Sequence, residues 1–130
     1  MPSPLFLLKA AALSGVFVVA IGAFGAHALK AHLDENMLRV YQTGVQYQMF
    51  HTLALLFLGL FLYLSPAFQS STQLRWCGIF FVVGIILFPG SLYALSVSGV
   101  KWLGMITPLG GASFIAGWVC LFLGLSENHT

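Results

Sequence analysis

Polar residues in this chain gather into a few short clusters, and between them run four stretches that are predominantly apolar. Such runs predict helices immersed in an apolar medium, because a helix lying against water carries a polar stripe. The first run, residues 10–29, follows Lys9, whose long stem lies along the helix while its ammonium reaches the headgroups. The second, residues 44–64, ends at Ser65-Pro66, where proline stops the helix. The third, residues 76–96, has Arg75 and Trp76 at one interface and Tyr93 toward the other. The fourth, residues 102–125, follows Lys101. Each run matches the ~20 residues that cross ~30 Å of hydrocarbon at ~1.5 Å per residue.

Of the connections, Leu29 to Thr43 is the longest polar one. It sets Lys30, His32, Asp34, Glu35, Asn36 and Arg39 against Leu33, Met37, Leu38 and Tyr41 at spacings near the helical period. A short amphipathic helix lying in the interface is expected there. Residues 66–73 read as a polar turn and Ser96-Val97-Ser98-Gly99 as a tight one. The expected fold is therefore an all-α membrane protein: an antiparallel four-helix transmembrane bundle with a short amphipathic interfacial helix between spans 1 and 2, forming a single integral-membrane domain over residues 1–130. Lys9, the following apolar stretch and Ala26-His27-Ala28 also imitate a signal peptide with its cleavage site, but the run is long for such a segment and a retained span is expected.

Composition sharpens this picture. Hydrophobic residues make up 59% of the 130 and charged residues 6%, where a soluble domain carries about a quarter charged. The net charge of +2 is small and scattered, which excludes nucleic acid and acidic partners as expectations. Lys30, Arg39 and Lys101 lie on one side of the membrane and Lys9 and Arg75 on the other, a margin that sets no orientation. Asn128-His129-Thr130 matches a glycosylation acceptor and is read as a chance match.

Candidate chemistry is one-sided. Antiparallel spans place the end of span 1, the start of span 2, the end of span 3 and the start of span 4 in one leaflet, so His27, Tyr47, Gln48, His51, Ser91, Tyr93 and Thr107 share one half of the membrane. The other half is almost free of polar atoms. An unpaired polar group in hydrocarbon costs several kcal/mol, so a polar pocket between the helices is predicted, open toward loops one and three. Its binding residues are His27, Tyr47, His51, Ser91, Tyr93 and Thr107. Pro89 and Pro108 are expected to bend spans 3 and 4 at the same level, releasing carbonyls that Ser91 and Thr107 are placed to satisfy.

Small residues recur at intervals of three and four on span 4 (Gly110, Ser113, Gly117, Cys120, Gly124) and on span 1 (Ala11, Gly15, Gly22, Ala26). These are packing seams, within the chain or toward a homo-oligomer or a larger membrane complex. His27 and His51 differ in depth by about a turn and a half and have no carboxylate behind them, so neither haem nor metal is expected, and no cofactor is implied. Cys77 and Cys120 lack a neighbouring base or cation and are read as small core residues. Ser91 lies outside any G-x-S-x-G elbow, and no catalytic residues are expected.

Four segments carry a family resemblance: Gly22-Ala23-Phe24-Gly25-Ala26-His27; Thr43 through Tyr47 with His51; Phe88 with Gly90-Ser91-Leu92-Tyr93; and Thr107-Pro108-Leu109-Gly110-Gly111 with Gly117-Trp118. They touch all four spans in order. The chain resembles the domain-of-unknown-function 423 family of small inner-membrane proteins, with its eukaryotic transmembrane protein 256 branch. That resemblance implies a four-span protein of the bacterial inner membrane and no particular activity. Pro89 departs from the family pattern, in which a small or hydroxyl residue is expected. The functional expectation is a non-enzymatic membrane protein that binds a lipid or other amphiphile through the one-sided pocket, with membrane lipids as partners. A small oligomeric transporter or channel, a redox or haem module, and an assembly subunit of a larger complex are the alternatives.

Overall fold

The computed structural model describes residues 1–127, with all their side chains except that of Ala26, so the Asn128-His129-Thr130 sequon lies outside the described residues. The first span, Pro4–Leu29, opens as α1 (Pro4–Val19). Ser3 caps it by accepting the Phe6 N–H at 3.1 Å, and Pro4 occupies the first turn, where its missing N–H has no helical partner to lose. The helix then widens into a π-helical turn (Ala20–Gly25) before a final α-turn, α2 (Ala26–Leu29). At the π turn the Tyr41 hydroxyl donates to the Ile21 carbonyl at 2.6 Å, and Gly25 is what admits it, since a Cβ there would collide with the Tyr41 oxygen.

α3 (Glu35–Leu64) runs unbroken for 30 residues, roughly 45 Å. Here the expected interfacial helix is corrected: the amphipathic residues from Glu35 to Thr43 are the first turns of α3 and do not form a separate element. Asp34 caps the helix at its true start by accepting the Met37 N–H at 2.7 Å. No breaker intervenes before the apolar run, and the buried ring of Tyr41, tied to Ile21, holds these turns upright against the first span.

The second span ends at Ser65, and Pro66–Phe68 form a 3-10 turn. α4 (Thr72–Ser98) is capped by Ser71, which accepts the Leu74 N–H at 3.3 Å. It closes at Gly99, whose φ of 73° is left-handed and whose N–H reaches the Leu95 carbonyl at 2.8 Å. A 3-10 turn (Lys101–Met105) leads into α5 (Thr107–Ser126). The expectation of two mid-helix kinks is therefore half corrected. Pro89 lies buried inside α4 and removes the N–H that the Ile85 carbonyl would otherwise accept, whereas Pro108 sits in the first turn of α5, where no such bond is lost.

Four helices long and apolar enough to cross a membrane result, Pro4–Leu29, Glu35–Leu64, Thr72–Ser98 and Lys101–Ser126, and the all-α four-helix membrane bundle is borne out. α1 packs on α3, α3 on α4 and α4 on α5. The tightest packing is in the oily half: Leu7, Leu55, Leu58, Leu62, Leu74, Cys77 and Phe81 are sealed from the surroundings. The span-4 seam turns inward against α4. A Cβ on Gly110 would meet the Phe88 backbone nitrogen at 2.5 Å, one on Gly117 the Phe81 ring and one on Gly124 the Leu74 side chain, while the Ser113 hydroxyl donates to the Phe80 carbonyl at 2.7 Å. On span 1, Ala11 is buried and Gly22 faces Val45, but Gly15 borders open space.

Candidate functional site

Four residues of α3 organise the polar side chains. Gln48 and Thr52, one turn apart, face α1, and Tyr47 and His51, one turn apart, face α4 and α5, because residues at i and i+4 share a helix face. On the α1 side the Gln48 amide donates to the Ser14 hydroxyl at 3.2 Å and to the Ser14 carbonyl at 3.3 Å. Its carbonyl oxygen accepts the Tyr93 hydroxyl at 2.8 Å. The Thr52 hydroxyl donates to the Gln48 main-chain carbonyl at 2.6 Å, so the 2.7 Å contact between Ser14 and Thr52 has Ser14 as donor. Tyr93, Gln48, Ser14 and Thr52 thus form one hydrogen-bond chain running in a single direction and ending on backbone. Each bond polarises the next, and buried polar groups of three spans are satisfied without water.

His51 is the hub of the other side. Its ring lies flat on Phe114, centroids 3.5 Å apart and planes 7° off parallel, and meets Phe81 edge-on. Nδ1 lies 2.8 Å from the Tyr47 carbonyl, and the Trp118 indole N–H points at Nε2 from 3.0 Å. A carbonyl only accepts and an indole only donates, so Nδ1 carries the proton and Nε2 the lone pair. Both ring nitrogens are occupied within the chain, which leaves no free lone pair to ligate a metal or haem. Ser91 and Thr107 form a third cluster: Ser91 donates to the Phe88 carbonyl at 2.9 Å and accepts from Thr107 at 2.6 Å. Ser91 therefore serves the carbonyl one residue before Pro89 and not the Ile85 carbonyl that Pro89 releases.

The predicted site residues accordingly separate. Tyr47 pairs with His51, Ser91 with Thr107, and Tyr93 with Gln48, while His27 lies exposed in α2 and hydrogen-bonds through its side chain to no other described residue. The chain does not gather all six around one polar cavity. What opens instead is a groove of about 330 Å³ on the outer side of α3, lined by Gln46, Tyr47, Phe50 and His51. The Gln46 side-chain amide and the Tyr47 hydroxyl hydrogen-bond to no described side chain or backbone group, although both residues lie on the exposed face of a spanning helix.

Sequence reasoning missed Ser14, Thr52 and Trp118 as polar partners, and it missed Gln46. Thr52 was within reach of the helical period, four residues after Gln48. Ser14 and Trp118 were not, since their roles depend on which way spans 1 and 4 are rotated.

A bundle of four apolar helices whose internal polar groups close on one another is a small multi-pass membrane protein. The chain belongs to the family described as "Protein of unknown function (DUF423)", whose model matches residues 21–111. It is 41% identical to the UPF0382 inner membrane protein YgdD of Escherichia coli (strain K12) over 119 residues, 92% of this chain and 88% of that protein. It is 41% identical to the UPF0382 membrane protein YwdK of Bacillus subtilis (strain 168) over 110 residues, 85% of this chain and 87% of that one. A UPF0382 membrane protein of Haemophilus influenzae is 42% identical over 123 residues, 95% of each chain. No solved structure matches. With its four spans, the protein is a multi-pass protein of the bacterial inner membrane.

Proposed function

We propose that this protein is a non-enzymatic binder of a lipid or other amphiphile, and that the ligand lies in the groove on α3. The observation that carries this reading is the pair of unpartnered polar groups, the Gln46 amide and the Tyr47 hydroxyl, beside the apolar ring of Phe50 at one groove of about 330 Å³. Gln46 lies two residues into the apolar run that begins at Gly44, the level at which a lipid headgroup meets its chain. Amide and hydroxyl groups left in hydrocarbon cost several kcal/mol, and a headgroup that hydrogen-bonds both relieves that cost while its chain lies along Phe50. His51, held by Trp118, forms the rigid wall behind them. No comparable observation favours transport or an assembly role.

Native mass spectrometry of the purified protein tests the reading. The double variant Gln46→Leu, Tyr47→Phe changes only outward-facing groups and is expected to lose a co-purifying lipid while keeping wild-type helicity and thermal stability. Identical lipid retention by wild type and double variant overturns it.

A further inference from the structure

A different lipid-facing feature lies in the opposite half of the bundle. α1 packs extensively on α3 and far less on α4, against which the Leu7 side chain seats at Gly78. Beside that contact a crevice opens between α1 and α4 as two successive cavities of about 420 and 230 Å³, which share Val82. Its α4 wall is Ile79, Val82, Val83 and Ile86, at helical spacing along one face, and its inner end reaches Ser14 and Gln48.

Arg75, half-buried, lies one turn before Ile79 on that same face, in the first turn of α4. The Arg75 Nε donates to the Gln69 carbonyl at 2.8 Å, which orients the side chain. Among the described residues Arg75 forms no ion pair, so its terminal guanidinium nitrogens have no partner. Glu127, the acidic residue at this face, accepts the Ser71 hydroxyl at 2.9 Å. From Arg75 to Ile86 is eleven residues, roughly 16 Å, which is half of a ~30 Å hydrocarbon core and the reach of one acyl chain in one leaflet.

We propose that the α1–α4 crevice holds one acyl chain of an anionic glycerophospholipid whose phosphate is bound by Arg75. A guanidinium with unpartnered nitrogens takes a phosphate in a forked, charge-assisted pair, and the crevice below it has the length and the apolar lining of a fatty chain. The site is distinct from the groove at Gln46, in the other leaflet, and does not depend on it.

Titration of the purified full chain in detergent with phosphatidylglycerol or phosphatidylethanolamine of identical acyl chains, read by native mass spectrometry, tests the proposal. Arg75→Gln is expected to weaken phosphatidylglycerol binding about tenfold and phosphatidylethanolamine, whose own ammonium offsets the charge of its phosphate, much less, with Arg75→Lys restoring most of the loss. Val83→Trp, from a half-exposed position, fills the crevice and is expected to displace both lipids; Ile86→Trp does the same further in, should the first variant fail to fold. Equal affinity of the wild type for the two lipids, an Arg75→Gln loss of equal size for both, or unchanged binding in the filled variants overturns the proposal. The Gln46→Leu, Tyr47→Phe protein is expected to titrate like wild type here, so failure of either reading is recognised separately.

Discussion

Trp118 on the last span donates its indole N–H to Nε2 of His51 on the second, 67 residues away in sequence, at 3.0 Å. His51 in turn stacks on Phe114, one turn before Trp118, so a single imidazole links α3 to two successive turns of α5. These side chains join helices whose backbones lie too far apart for close packing, across the intervening α4. Trp118→Phe keeps one aromatic ring and deletes the donor together with the five-membered part of the indole. It is expected to lower stability by about 1 kcal/mol, the scale of an interhelical hydrogen bond in a membrane. His51→Ala also empties the space beside Phe114 and is expected to cost more, roughly 2–4 kcal/mol. Thermal unfolding in detergent, followed by circular dichroism, checks the order; equal losses contradict it.

Neighbouring glycines of α5 are expected to differ sharply. A Cβ at Gly110 meets the Phe88 main chain, which cannot step aside, and the two helices must separate. Gly110→Ala is expected to cost roughly 1–3 kcal/mol. At Gly111 the nearest atoms are ring carbons of Phe88 at 3.7 Å, ordinary contact distance, so Gly111→Ala is expected to be neutral or slightly stabilising by helix propensity. Melting temperatures of the two variants decide this.

The hydrogen-bond chain from Tyr93 to Thr52 predicts graded losses. Tyr93→Phe removes the first donor and leaves one unpaired amide oxygen, for about 1 kcal/mol. Gln48→Leu removes the middle link, strands the Tyr93 hydroxyl and deprives Ser14 of its donor, and is expected to cost about 2 kcal/mol or more. Hydrogen exchange at the α1–α3 contact is expected to rise in the second variant and little in the first. A smaller effect for Gln48→Leu than for Tyr93→Phe contradicts the chain.

Gly99 ends α4 in a left-handed conformation with open space around it. Gly99→Ala therefore meets backbone strain alone and is expected to cost about 1 kcal/mol without altering packing. Melting is the check.

Much of the architecture follows from the sequence, because membrane spans are set by composition over long windows. The four apolar runs and the stop at Ser65-Pro66 are local features, and each falls within a helix or at a helix end of the structure. The tight turn expected over Ser96-Val97-Ser98-Gly99 is corrected: Ser96 to Ser98 complete the last turn of α4 and only Gly99 leaves it. The interfacial helix failed for a tertiary reason. Residues 35–43 do have an amphipathic period, but their apolar side packs on the first span through Tyr41 and does not lie on the bilayer surface. Pro108 was misread because a span of continuous hydropathy hides the change from a 3-10 turn to an α-helix at Thr107.

From composition alone came the number of spans, their approximate ends and the concentration of hydroxyl, amide and imidazole groups in one leaflet, since hydrocarbon imposes the same length and polarity limits on any chain that crosses it. Partnership required the fold. Whether Gln48 turned to Ser14, whether His51 met Trp118, and whether Gln46 was left facing outward depended on the rotation of each helix about its axis. That rotation is decided by contacts such as Gly110 against Phe88 and Gly117 against Phe81, between residues far apart in the chain.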